Sequence, residues 1–254
     1  MSQAFYRPGR GFFHQAHPAV KLVALFLSFV PPFLADAPGR LLPYLGLVLL
    51  AALAAGAGRN LRRVRNLMIT LVVMSVLIWL IFHPGRTLWF RLGPLLVMRD
   101  SFLYGLTVGL RLCCFILAAA AFLTSTPLED FTLALARLGL PFRPSFALTL
   151  AFRLTPLFIE TGQDIALAQK ARGLDLDSGS PWQRLRRHAP IIVPVIISGL
   201  RRSDQLAMAL EARGLGYGPR RSHLIEPRVT WRDWLMLLIL VAAGTLMGLG
   251  YFLG

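Results

Sequence analysis

Apolar runs of about twenty residues each are the strongest constraint on this chain. They fall near 19–35, 41–57, 67–83, 102–124 and 232–253. In a soluble protein apolar residues recur at helix or strand period, whereas here they are gathered into blocks. A block of that length, wound as a helix, crosses the ~30 Å hydrocarbon core of a bilayer. Across its 254 residues the chain is 56% hydrophobic, above an ordinary soluble domain. The expected fold is therefore all-α: a polytopic membrane protein with about five transmembrane helices.

Charge orients those helices. Lys and Arg number 27 against 12 acidic residues, a net charge of +15. In a soluble protein that excess would suggest nucleic acid. Here no aromatic-basic platform or reading motif accompanies it, which argues against a nucleic-acid partner. Instead the arginines cluster in particular loops. Arg7, Arg10 and Lys21 lie at the first end, and Arg59, Arg62, Arg63 and Arg65 follow the second run. A long segment at 126–231 holds Arg137, Arg143, Arg153 and many more. The intervening loops are sparser, with Asp36 and Arg40 in one and Arg86, Arg91, Arg99 and Asp100 in the other. Placing the Arg-rich segments in the cytoplasm gives a multi-pass inner-membrane protein with its N-terminus inside and its C-terminus outside. Residues 1–125 would form a membrane domain of four spans, 126–231 a cytoplasmic helical region, and 232–254 a C-terminal span.

Details inside the spans qualify this outline. Pro31-Pro32 predicts a kink or an early end to the first span. Arg111 lies inside the fourth, where a charge is expensive unless paired, snorkelling or facing protein. A packed arginine answering carbonyls or a nearby acid is the plainer reading; a place on a substrate path is the other. Adjacent Cys113 and Cys114 suit neither a disulfide nor a closed metal site, and read as small core or lipid-facing residues. The stretch before 19–35 resembles a signal peptide in charge, but later spans favour a retained signal-anchor.

The segment at 126–231 opens with Thr126-Pro127-Leu128-Glu129, a sequence that predicts a capping box and a helix start. That helix should stop at Leu138-Gly139, before Pro141 and Pro144. A second helix is expected over 145–172 with a kink at Pro156, and a third over about 182–213, interrupted near Pro190 and Pro194. Their apolar residues, among them Leu148, Phe158, Ile192, Val193, Ile196 and Ile197, are too many for a solvated linker. They must bury against the membrane, each other or partners.

The second and third helices end alike. Gln169-Lys170-Ala171-Arg172-Gly173-Leu174 aligns with Leu210-Glu211-Ala212-Arg213-Gly214-Leu215 at an offset of 41 residues. Glycine after the last turn takes the left-handed cap conformation at little cost. Arginine one residue earlier sits at the negative end of the helix dipole. Its planar fork can reach a carboxylate on another chain. Upstream, Ala166, Ala168, Ala207 and Ala209 permit close approach of backbones where helices cross. One such end is an ordinary helix cap. Two with matching small residues suggest two equivalent receptors, hence a pair of similar partner subunits.

These residues resemble the transmembrane coupling (T) component of energy-coupling factor transporters, a family that also serves cobalt, nickel and biotin systems. The resemblance is carried by Leu138-Gly139-Leu140-Pro141, Arg153 with Pro156, Glu160, Gln169, Asp204 and the paired Ala-Arg-Gly motifs. His14-Gln15-Ala16-His17-Pro18 is also similar to the family's opening, although Asp more often precedes that proline. The resemblance implies long cytoplasmic coupling helices, two ATP-binding-cassette ATPases and a small membrane subunit that captures a vitamin or transition-metal ion. It implies docking on the ATPases by Ala171, Arg172, Gly173, Ala212, Arg213 and Gly214, and a transporter subunit without catalysis or cofactor of its own.

Other classes find less support. The five histidines show no His-Glu-x-x-His spacing, and no Gly-x-Ser-x-Gly turn is present. His14 and His17 lack nearby carboxylate or thiolate ligands for a metal. No phosphate-binding Gly-x-x-x-x-Gly-Lys loop exists, since Lys21 and Lys170 are the only lysines. Asp175 and Asp177 read as solvated loop residues. A stand-alone carrier or channel would want ionisable residues near the midplane, where Arg111 alone qualifies.

Overall fold

The computed structural model describes residues 16–82, 88–92, 95–174, 180, 182, 188–215, 217 and 230–252. Its helices are α1 (Pro18–Ser28), α2 (Pro38–Ala54), α3 (Gly58–Phe82), α4 (Arg99–Ser125), α5 (Leu128–Arg137), α6 (Phe142–Ala171), α7 (Ala189–Ala212) and α8 (Trp231–Phe252). A 3-10 turn, Pro31–Leu34, follows α1. The protein is an all-α polytopic membrane protein. Among the described residues three helices, Gly58–Phe82, Arg99–Ser125 and Trp231–Leu249, are long and apolar enough to cross a membrane. Two shorter apolar segments, Pro18–Leu34 and Pro38–Ala54, lie where the first two spans were expected.

The chain divides into two compact units: 1–145 with 227–254, and 146–226. Thus α5, expected to open the cytoplasmic region, groups with the membrane helices and packs on α1.

In the first unit polar side chains answer the breaks that proline and helix ends create. Pro31-Pro32 ends α1, freeing carbonyls that cannot be left bare in hydrocarbon. Tyr44 Oη donates to the Ser28 carbonyl at 2.7 Å. Arg111 donates through Nε to the Pro32 carbonyl at 2.9 Å and through Nη2 to the Ala35 carbonyl at 3.2 Å. Its guanidinium also stacks 5.2 Å from the Phe33 ring centre. The half-buried guanidinium is therefore structural. Lys21 works similarly, its ammonium donating to the Ser125 carbonyl at the end of α4, 3.1 Å away.

Helices α3 and α4 are the most intimate pair, and antiparallel. A Cβ added to Gly105 would come within 2.9 Å of the Val76 Cα, and one on Gly109 within 3.0 Å of the Val72 Cα. That is the small-x-x-x-small packing of membrane helices. Ser75 Oγ donates to the Gly105 carbonyl at 2.9 Å, and Asn60 Nδ2 to Thr124 Oγ1 at 2.8 Å. The central apolar cluster gathers Leu41, Tyr44 and Val48 of α2 with Cys114, Leu117 and Ala118 of α4. Cys113 and Cys114 are both free thiols in the core.

Several local expectations change. Arg59, Arg62, Arg63 and Arg65, read as a loop, form the first turns of α3. A charged run at good helical propensity simply extends the span. Leu88–Leu92 and Leu95–Met98, left without structure, pair as an antiparallel hairpin, β1 and β2, with a register irregularity between Leu88 and Phe90. The capping box at Thr126 does not form: its hydroxyl is buried without a hydrogen-bond partner, and Pro127 precedes α5. Half of such a box forms at α8, where the Asp233 carboxylate accepts from the Thr230 N–H at 2.6 Å and the Thr230 hydroxyl at 2.9 Å.

Asp233 also accepts from the His17 N–H at 2.7 Å, tying the start of α8 to the start of α1. His17 in turn caps α1, Nδ1 accepting from the Ala19 N–H at 3.2 Å. It supplies the acceptor that aspartate would otherwise provide at this position. Nearby, burial raises the Asp130 carboxyl above its ordinary range, while the Lys21 ammonium pulls it back.

Candidate functional site

The second unit is built from two long helices. From Phe142 to Ala171, α6 is continuous through Pro156, which leaves the Phe152 carbonyl without its helical donor. Beside it the Thr155 hydroxyl donates to the Ala151 carbonyl at 2.7 Å. Trp182, where the third helix was expected to begin, is helical, and α7 itself runs from Ala189 with Pro190 in its first turn and Pro194 inside. The Asp175 and Asp177 pair lies outside the described residues, as does His14.

The two helices approach each other through glycine. A Cβ on Gly199 of α7 would sit 3.0 Å from Cε1 of the Phe158 ring, and one on Gly162 of α6 would sit 3.9 Å from Val195 Cγ2. The sequence reading assigned close approach to alanines instead. Ala166 is half-buried, and Ala168, Ala207 and Ala209 are exposed, between these contacts and the helix ends. Exposed Pro156 lies two residues before Phe158. The signal that was available is an interior glycine, which costs about 1 kcal/mol in a helix and so marks a close contact.

At an offset of 41, Phe158 and Gly199 occupy matching positions, so this contact joins a position to its own counterpart. Arg172 lies fourteen residues beyond Phe158, and Arg213 fourteen beyond Gly199. At 1.5 Å per residue both arginines stand ~21 Å of helix from the same contact.

Each helix closes with the same hydrogen-bonded hook. The Leu174 N–H donates to the Gln169 carbonyl at 3.0 Å, and the Gly173 N–H to the Lys170 carbonyl at 3.0 Å. In the second copy Leu215 donates to Leu210 at 2.9 Å and Gly214 to Glu211 at 2.8 Å. Gly173 and Gly214 have φ of 88° and 77°, where a side chain is strained. This hook alone is not functional, because α2 and α5 end with it too, at Gly56 and Gly139. What distinguishes α6 and α7 is the cap residue. Ala55 and Leu138 occupy it in the first two; Arg172 and Arg213 occupy it here, both exposed. Ala171 and Ala212 are likewise exposed. One position separates the tips in charge, Lys170 in one and Glu211 in the other.

The flanks of the pair are apolar and open. Ile192, Val193, Ile196 and Leu200 on α7 are each at least half exposed. Leu167 and Met208 extend that surface toward the tips. Among the described residues, no group of three His, Cys, Asp or Glu comes together that could hold a metal.

Residues 9–224 match the family model CbiQ, described as cobalt transport protein. The chain belongs to the T-component family of energy-coupling factor transporters. It is 30% identical over 253 residues to the energy-coupling factor transporter transmembrane protein EcfT of Brevibacillus brevis, covering 96% of this chain and 95% of that one. To the EcfT of Heliobacterium modesticaldum it is 33% identical over 232 residues, 87% of this chain and 86% of the relative. A putative ABC transporter ATP-binding protein of Bifidobacterium longum is 30% identical over 251 residues, 93% of this chain but 32% of that longer protein. The family is one of membrane components of transporters, which agrees with a multi-pass membrane protein and with a transporter subunit.

Proposed function

We propose that this T component transmits ATP-driven motion from two cytoplasmic cassette ATPases to a small membrane subunit that binds substrate. The pair of arginine-capped helices carries the reading. Two copies of one tip, equally far from one crossing, suit two similar receptors related by an approximate twofold axis. Arg172 and Arg213 are the docking contacts, offering planar forks to carboxylates on the ATPases. Ala171, Gly173, Ala212 and Gly214 keep the tips narrow enough to enter a groove.

The open apolar faces of α6 and α7 receive the substrate-binding subunit. Closure of the ATPases alters the angle of the crossing and so moves that subunit. ATP hydrolysis belongs to the partners; this chain supplies no catalysis. The long relative from Bifidobacterium longum supports the association, because there a region like this one shares a polypeptide with an ATP-binding function. The cargo is a vitamin or a transition-metal ion such as cobalt or nickel. The Arg-rich segments face the cytoplasm, with the N-terminus inside and the C-terminus outside the cell's inner membrane. Arg111, on which a stand-alone carrier would depend, is committed to the Pro32 and Ala35 carbonyls.

Affinity purification from the native membrane in mild detergent, with mass spectrometry, tests this reading. Two cassette ATPases and a small hydrophobic protein are expected to accompany the chain. Recovery of the chain alone, or active transport without ATPases, would refute it.

A further inference from the structure

Helix α8 packs unevenly, with Ala243 and Met247 against the central cluster. Its main contacts are with α1 and the 3-10 turn. There a Cβ added to Gly244 would lie 3.3 Å from Pro31 Cγ, and one on Gly248 3.8 Å from Leu34 Cδ1. Toward α2 it leaves a seam. Ala243, Leu246 and Met247 face Arg40, Tyr44 and Leu47 across a cavity of about 360 Å³. A second cavity of about 350 Å³ follows, with Leu47, Ala51 and Ala54 of α2 opposite Met236 and Leu240 of α8. Leu47 borders both, so they lie in line along one seam. Each is of ligand size. Small alanines hollow the walls, and no acidic residue borders either cavity.

Length and charge indicate the occupant. From Met236 to Met247 the α8 wall rises ~16 Å, close to one leaflet of a ~30 Å hydrocarbon core. At the seam's mouth stands the exposed Arg40, in the first turn of α2. Asp36, the nearest acid in sequence, lies in the preceding loop and does not border the seam. Lys21 lines the second cavity, its ammonium already engaged with the Ser125 carbonyl. An apolar groove about one leaflet deep, with the Arg40 guanidinium at its mouth, fits a lipid with an anionic headgroup.

We propose that the seam between α2 and α8 holds one anionic phospholipid, its phosphate on Arg40 and an acyl chain laid along Leu47 toward Ala54. The guanidinium fork matches two phosphate oxygens, which a zwitterionic lipid would offer only with a competing cation of its own. The site runs between α2 and the C-terminal helix, beside the contacts that Ala243 and Met247 make with the central cluster.

The full chain, reconstituted in nanodiscs of phosphatidylcholine with phosphatidylglycerol as the minor component, tests this by native mass spectrometry after gentle release. One phosphatidylglycerol per chain is expected, enriched about tenfold over its bulk share. Arg40→Gln should bring that enrichment to the bulk ratio. Ala51→Phe with Ala243→Phe, which fills the seam, should release the lipid. Because the filled variant can misfold, the unaltered chain is also cross-linked to phosphatidylglycerol carrying a photoreactive acyl chain. Labelled peptides should come from α2 and α8. Equal retention of the two lipids, labels confined to other helices, or loss of the cross-link when a partner subunit assembles would each overturn the proposal.

Discussion

Every buried side chain among the described residues lies in the membrane unit, and the last of them before the crossed pair is Ser145. Helix α7 buries none. The two regions follow opposite strategies. In the membrane unit, polar groups are spent inward: Arg111, Lys21, Tyr44, Asn60 and Asp233 each answer a backbone or hydroxyl group within the unit. In the pair, arginine stands at the tips and isoleucine on the flanks, both turned outward. A region that leaves this much apolar surface uncovered is complete only with something else against it. The first unit is built to hold shape, the second to be held.

That contrast can be broken at chosen residues. The largest effect is expected at Gly105→Leu, where the obstacle is the Val76 backbone 2.9 Å away. Backbone cannot swing aside, so α3 and α4 must separate at a cost of about 3 kcal/mol or more. A pronounced drop in thermal unfolding temperature of the purified chain checks it.

Next comes Arg111→Leu, which strips two carbonyls of their donors in hydrocarbon and should cost about 2 kcal/mol or more. Arg111→Lys, able to reach one carbonyl, should recover part of it in the same unfolding assay.

In the crossed pair the equivalent insult is milder for stability and harsher for function. Gly199→Leu meets only the edge of the Phe158 ring, which can turn. Unfolding should shift by no more than about 1 kcal/mol. The interhelical distance should widen, read between spin labels at positions 170 and 211, and transport should fall while ATPases still bind. The smallest effect belongs to Gly173→Ala or Gly214→Ala, each strained at positive φ by about 1 kcal/mol. Capture of the ATPases should weaken several-fold without change in the membrane unit.

Much of this was legible because it is periodic or repeated. Block length placed the spans at 19–35 and 41–57 close to the observed Pro18–Leu34 and Pro38–Ala54. The Arg-Gly tips were legible because two copies share one cap chemistry, and both hooks form as that chemistry requires. What escaped depends on contacts distant in sequence. Nothing local says that the His17 amide will find Asp233, 216 residues later. Helix phase decides whether Gly162 and Gly199 or the nearby alanines meet, and composition carries no phase. Thr126 had every local mark of a cap, yet the junction of α4 and α5 buried its hydroxyl, while at Thr230 the acid three residues on does reach back to the backbone N–H. The hairpin was announced only by Gly93-Pro94 between two short apolar strings.

The central claim is that the two arginine tips dock ATPases and do nothing for the fold. Its most direct test is the double variant Arg172→Ala with Arg213→Ala, co-expressed with the ATPases and the substrate-binding subunit. The account predicts an unchanged unfolding temperature for the chain, loss of both ATPases on purification and no transport, with each single variant partly active. A double variant that still captures the ATPases and transports normally would contradict it.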